Sequence, residues 1–172
     1  MPLSDPSPQA GAKADPSPAL DDLDLTTSKI LLIDDNEQNL ELLLAYLEDL
    51  GARLETATDG ILAIEAIEAD APDLILLDVM MPRMSGFQVC AKIKGDPATR
   101  DIPVVMVTAL NEVADIERAV ECGADDFLTK PVHKLELVTR VKSLLRVRLL
   151  KKQLDETLKR VQRLGDEGAG ID

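Results

Sequence analysis

The sequence predicts an α/β protein in which five short strands alternate with amphipathic helices and a long helix closes the chain. Three observations carry this. The runs at 30–33, 74–77 and 104–107 are wholly apolar, as strands covered on both faces must be. The stretches between them repeat apolar residues at helical spacing. Four of the strands end on a polar group that the strand itself has no use for: Asp34-Asp35, Asp78, Thr108 and Lys130.

Residues 1–27 are rich in Pro, Ser, Ala and Asp, and Asp5-Pro6-Ser7-Pro8 recurs as Asp15-Pro16-Ser17-Pro18. Such a segment cannot bury enough apolar surface to offset its ordering entropy, so a disordered tail is expected. A domain over 28–146 follows, with strands near 29–33, 53–57, 74–77, 103–107 and 125–128. Helices are expected near 37–50, 60–69, 86–95 and 112–122. The first places Leu40, Leu43, Leu44, Leu47 and Leu50 on one face, with Gly51 as its stop. Strict alternation in this length fits a doubly wound, five-stranded parallel sheet of flavodoxin-like order 2-1-3-4-5. Ligands of such sheets bind beyond the strand C-termini, where the strand order reverses. All four polar signals sit at that edge.

The last helix starts near Lys134 and meets no breaker before Gly165, a length of ~46 Å. Leu137, Val138, Val141, Leu144 and Leu145 are expected to pack on the sheet. Beyond them, 147–165 reads as a helical extension. Val147, Leu150, Leu154, Val161 and Leu164 fall at heptad a and d positions, with Thr157 in the polar slot, which predicts a short two-helix coiled coil. The alternative is an amphipathic helix lying on its own domain. Residues 166–172 are expected to form a flexible tail.

Composition narrows the function. The net charge is −13, with 26 acids against nine bases in residues 1–133 but ten bases against three acids in 134–165. An acidic body argues against a general nucleic-acid binder, and the basic stretch reads as a solvated helix face. No apolar run reaches the ~18 residues of a membrane span, and the N-terminus lacks the order of a signal peptide, so a cytoplasmic protein is expected. Cys90 and Cys122, each inside a predicted helix, read as ordinary thiols rather than a disulfide. His133 is the only histidine, which leaves no ligand set for zinc.

Three carboxylates converging on one edge repel one another, and a divalent cation resolves the conflict. Oxygen-only ligands with room for water and phosphate suit Mg²⁺. A carboxylate beside such an ion can attack phosphorus and form an acyl phosphate. The candidate roles are Asp78 as nucleophile, Asp35 as direct metal ligand, Asp34 as outer ligand, Lys130 as the cation, and the Thr108 hydroxyl as a donor to a phosphoryl oxygen.

These residues resemble the receiver domain of two-component response regulators over about 29–146. The matching pieces are Ile33-Asp34-Asp35-Asn36, the stretch from Leu76-Leu77-Asp78 to Met84-Ser85-Gly86, Pro103-Val104-Val105-Met106-Val107-Thr108-Ala109, and Gly123-Ala124-Asp125-Asp126-Phe127-Leu128-Thr129-Lys130-Pro131. Phe87-Gln88-Val89-Cys90 and the stretch from Asp96 to Pro103 look like receivers attached to diguanylate cyclases, but no cyclase sequence follows. The resemblance implies a histidine kinase or histidine phosphotransfer protein as phosphoryl donor to Asp78. It also implies the Met80 backbone carbonyl as a further Mg²⁺ ligand, a cis peptide at Lys130-Pro131, and a switch formed by Thr108 and Phe127. In this family the fourth and fifth helices often form a dimer face, on which Asp126, Glu136 and Arg140 are placed to bridge two copies.

The resemblance thus implies a phosphorylation-controlled switch rather than an enzyme. A Mg²⁺-dependent phosphatase with an aspartyl nucleophile is the alternative, but its leaving group needs an acid two residues after the nucleophile, and Met80 stands there. A nucleic-acid reader lacks a helix-turn-helix, and a flavin site lacks a phosphate loop after the first strand. Met80 and Leu110 are both apolar where polar residues would position a hydrolytic water, so a long-lived phospho-state is expected.

Overall fold

The computed structural model describes residues 24–109 and 113–168. The strands are β1 (Lys29–Ile33), β2 (Arg53–Ala57), β3 (Leu74–Asp78), β4 (Val104–Thr108) and β5 (Asp126–Thr129). The helices are α1 (Glu37–Leu47), α2 (Gly60–Ala69), α3 (Gly86–Gly95), α4 (Val113–Glu121) and α5 (Lys134–Gly168). All strand pairs are parallel, in the order β2-β1-β3-β4-β5. This is the predicted fold.

Side-chain alternation along the strands builds a core on each face of the sheet. Ile30, Leu32, Leu74 and Leu76 point to one side, where Leu40, Leu43 and Leu47 of α1 and Leu137, Val141 and Leu145 of α5 cover them. Leu31, Ile33, Ile75 and Leu77 point to the other, under Ala63 and Ile67 of α2 and Phe87, Cys90 and Ile93 of α3. β1, β3 and β4 are buried along their whole length, whereas the edge strand β2 is half exposed.

Local chemistry fixes where the helices begin. The Asn36 side chain accepts the Gln38 and Asn39 amides and starts α1 directly after the Asp34-Asp35 pair. Asp59 caps α2, and Ser85 with Gln88 forms a capping box at α3. The first helix ends earlier than predicted: α1 stops at Leu47, and Glu48–Leu50 form a 3₁₀ turn that closes on left-handed Gly51.

Other boundaries differ too. Residues 24–27, assigned to the tail, form a turn in which the Asp24 carboxylate accepts the Thr26 amide at 2.9 Å and Leu25 packs on the α1/α5 core. The rest of that tail, with its doubled tetrapeptide, lies outside the described residues. Gly165 does not stop α5, which runs on to Gly168, so residues 166–168 are helical. A glycine in an exposed helix costs only ~1 kcal/mol relative to alanine, too little to end one flanked by good helix formers. Cys122 lies one residue past α4 rather than inside it, and its carbonyl accepts the Cys90 thiol at 3.4 Å; both cysteines are free.

After Leu145, the last α5 residue buried on the sheet, two basic side chains hold the helix to the base of the domain. Arg148 Nη1 donates to the Asp101 carbonyl at 3.3 Å, and Lys152 Nζ meets the buried Asp73 carboxylate at 2.6 Å. No helix among the described residues is long and apolar enough to cross a membrane.

Candidate functional site

The parallel register brings the ends of β1, β3, β4 and β5 to one edge. β1 and β3 are neighbours there, although β2 intervenes in sequence, so the crevice opens between them. Asp34 follows β1 and is 2% exposed. Its carboxylate accepts the Asn36 amide at 2.9 Å, Asn39 Nδ2 at 3.1 Å and Lys130 Nζ at 3.2 Å. Asp78, the last residue of β3, is 4% exposed and accepts Lys130 Nζ at 3.2 Å. Asp35 is exposed at the mouth. One carboxylate oxygen from each of the three acids lies within 4.8 Å of the others.

Burial pushes the Asp78 carboxyl above its usual range, and the Asp34 charge adds to the rise, while Lys130 pulls it back. Burial opposes the charge on Lys130, yet the carboxylates of Asp78 and Asp34 outweigh it and raise its pKa. Lys130 therefore stays a fixed cation. Three acids and one ammonium leave two negative charges, and every donor in the cluster is a hard oxygen. That set fits Mg²⁺ and offers nothing to a softer metal.

Thr108 ends β4 and is buried. The Lys130-Pro131 peptide is cis. Met80 lies in the β3–α3 connection with its side chain exposed. Phe127, on β5, turns outward and is 38% exposed. A cavity of about 100 Å³ separates it from Thr108, walled by Val79, Met106 and Ile116. Asp34, Asp35, Asp78 and Lys130 are thus brought together, Thr108 and Phe127 flank one cavity, and Leu110 lies outside the described residues. His133 is exposed and precedes α5, whose first turn it starts by accepting the Leu137 amide at 3.0 Å.

The sequence reading missed Asn39, which holds Asp34 from the first turn of α1. An asparagine on a helix carries no signal of its own there. It also gave no role to Gly86, which lies against the backbone of Asp78. A Cβ at Gly86 would fall far inside contact distance of the Asp78 carbonyl oxygen and 2.9 Å from both the Asp78 carbonyl carbon and Val79 Cα.

Comparison with known proteins matches residues 30–142 to the model of the response regulator receiver domain. The chain belongs to this family. It is 46% identical over 139 residues to response regulator PleD of Caulobacter vibrioides, an alignment covering 81% of this chain and 31% of PleD. The chain thus matches about a third of that relative's length. Among solved structures, the receiver of a signal transduction histidine kinase from Syntrophus aciditrophicus superposes with a TM-score of 0.66 at 40% identity, over 69% of this chain and 90% of that one. The receiver of sensor histidine kinase PA1611 from Pseudomonas aeruginosa, solved with magnesium in its active-site cleft, gives 0.64 at 30%, over 69% and 98%. Receiver domains take phosphoryl groups from histidine kinases and bind Mg²⁺ at an acidic site. The phosphatase alternative is not favoured.

Proposed function

We propose that this receiver accepts a phosphoryl group on Asp78 from a histidine kinase or a histidine phosphotransfer protein, and signals in the cytoplasm by self-association rather than by catalysis of its own. The observation that carries the reading is the pairing of one lysine with two buried carboxylates at the β1/β3 crevice, Lys130 Nζ lying 3.2 Å from both Asp34 and Asp78. A Mg²⁺ ion would be held by Asp35 and Asp78 with the Met80 carbonyl, and by Asp34 from the outer side. When bound, it supplies positive charge for the phosphoryl oxygens.

Asp78 is raised by burial and so is shielded from bulk water, while Lys130 keeps the charge that orients the incoming anion. A carboxylate oxygen of Asp78 attacks phosphorus, and the phosphohistidine nitrogen leaves with the bonding electron pair. The acyl phosphate carries about two negative charges where the carboxylate carried one, a gain of about one beside Lys130 and Thr108. The Thr108 hydroxyl turns towards that charge, and Phe127 follows into the cavity between them. Phe127 has no hydroxyl, so packing alone stabilises its inward position. The ring leaves β5 next to Asp126, which Arg140 of α5 holds at 2.7 Å, so its motion reaches the face of α4 and α5.

Self-association through that face and the α5 extension is the favoured output. The apolar residues Val147, Leu150, Leu154, Leu158, Val161 and Leu164 of α5 are all between 43% and 63% exposed. The test is transfer from a phosphohistidine donor with and without EDTA, followed by sedimentation. Mg²⁺-dependent labelling accompanied by dimer formation supports the reading. Labelling without Mg²⁺, or a labelled protein that stays monomeric, rejects the metal or the output respectively.

A further inference from the structure

We infer that the α5 extension pairs with a second copy along a straight stripe of eleven-residue period, made by Val147, Leu150, Leu154, Leu158 and Val161, rather than along a heptad seam. The inference rests on the proposed self-association and specifies its geometry. Val147 recurs as Leu158 and Leu150 as Val161, each eleven positions on, with Leu154 between. At 100° per residue these five side chains fall within ~80° of one another on an undistorted helix. The heptad assignment instead needs Thr157 and Leu164, which lie ~80–100° from Val147, and it discards Leu158, which is 51% exposed. An eleven-residue repeat asks for a gentle right-handed supercoil, with less drift per residue than a heptad, so α5 can continue from the domain with little bending.

The stripe points away from its own receiver. It is centred about 140° from the line of Leu137, Val141 and Leu145. That line continues as Arg148 and Lys152, whose side chains bond to Asp101 and Asp73 at the base of the sheet. The face turned to the domain is therefore taken by polar contacts, and the apolar face is left for a partner. Upward, the stripe runs into Ser143, Arg140 and Glu136, the exposed side of α5 beside β5. A two-fold pair of stalks thus brings the two α5 faces together above it.

The area fits a controlled contact. A standard interface takes about 800 Å² from each partner, and five side chains, each about half exposed, supply roughly half of it. The rest must come from flanking stems and from the receiver faces, which is where phosphorylation acts. Charge separates a second copy from other occupants. Residues 146–163 carry seven bases against two acids. Two identical stalks repel, and salt relieves the repulsion, whereas an acidic partner helix or an anionic membrane would be attracted and released by salt.

The test is sedimentation of the full chain with Mg²⁺ and beryllium fluoride, for wild type, Leu158→Glu and Thr157→Glu, at low and high salt. The expected result is a wild-type dimer that tightens at least threefold with salt. Leu158→Glu should be monomeric, and Thr157→Glu should retain the wild-type constant within threefold. Circular dichroism checks that both variants keep their helix. A dimer retained by Leu158→Glu and lost in Thr157→Glu restores the heptad seam and overturns the inference while leaving self-association standing. A wild-type monomer at every salt overturns both, and binding of wild type to anionic vesicles that salt abolishes identifies the membrane as the occupant instead.

Discussion

Substituting Gly86 by alanine tests whether Asp78, the proposed phosphoacceptor, is positioned by the backbone of α3. The added Cβ would collide with the Asp78 carbonyl and sit 2.9 Å from Val79 Cα. Neither neighbour is the end of a flexible side chain, and Leu77, Asp78 and Val79 are all buried, so nothing nearby can yield cheaply. Overpacking a core costs ~1–3 kcal/mol, and a backbone-to-backbone clash belongs at the upper end. A loss of about 3 kcal/mol lowers the melting temperature of a domain this size by roughly 6–12 °C. Gly95→Ala is the control. It stands at the end of the same helix with no atom within 4 Å of an added Cβ, and should gain up to ~1 kcal/mol. Urea unfolding at constant m-value measures both. Acetyl phosphate labelling of the folded Gly86→Ala protein should also fall, because the clash displaces Asp78. A Gly86→Ala midpoint indistinguishable from wild type would refute the reasoning.

Three further outcomes are expected. Asp35→Ala should weaken Mg²⁺ binding more than Asp34→Ala, since Asp34 already accepts three donors within the protein and Asp35 faces the mouth; calorimetric titration ranks them, and the reverse order would exchange their roles. The phospho-state should last minutes or longer because exposed Met80 cannot align a hydrolytic water; a half-life of seconds in purified protein would contradict this. Lys152→Met should cost about 1 kcal/mol, since the lysine is half exposed while Asp73 is buried, and amide exchange over 147–155 should speed up about fivefold; unchanged exchange would show that the contact does not hold the stalk.

The sheet was legible because its central strands are apolar on both faces, and the candidate site because four of the five strands end on polar groups. What escaped the sequence depends on contacts between distant elements. Nothing in Asp73 or Lys152 alone shows that they meet across 79 positions at the base of the sheet. The adjacency of Cys90 and Cys122 likewise exists only once α3 and α4 are placed side by side. The heptad over 147–164 rests on a linear pattern in which Thr157 takes the polar slot. The exposure of Leu158 and the direction of the apolar face needed the helix to be seen against its own domain.

Asp78 alone is proposed to receive the phosphoryl group. Intact-mass analysis after incubation with acetyl phosphate and Mg²⁺ tests this most directly, with borohydride reduction and peptide mapping to locate the acyl phosphate. Wild type should gain the mass of one phosphoryl group, mapped to residue 78, and Asp78→Asn should gain none while keeping its fold. An acyl phosphate of equal yield on Asp78→Asn, mapped to Asp34, Asp35 or any other carboxylate, would contradict the account.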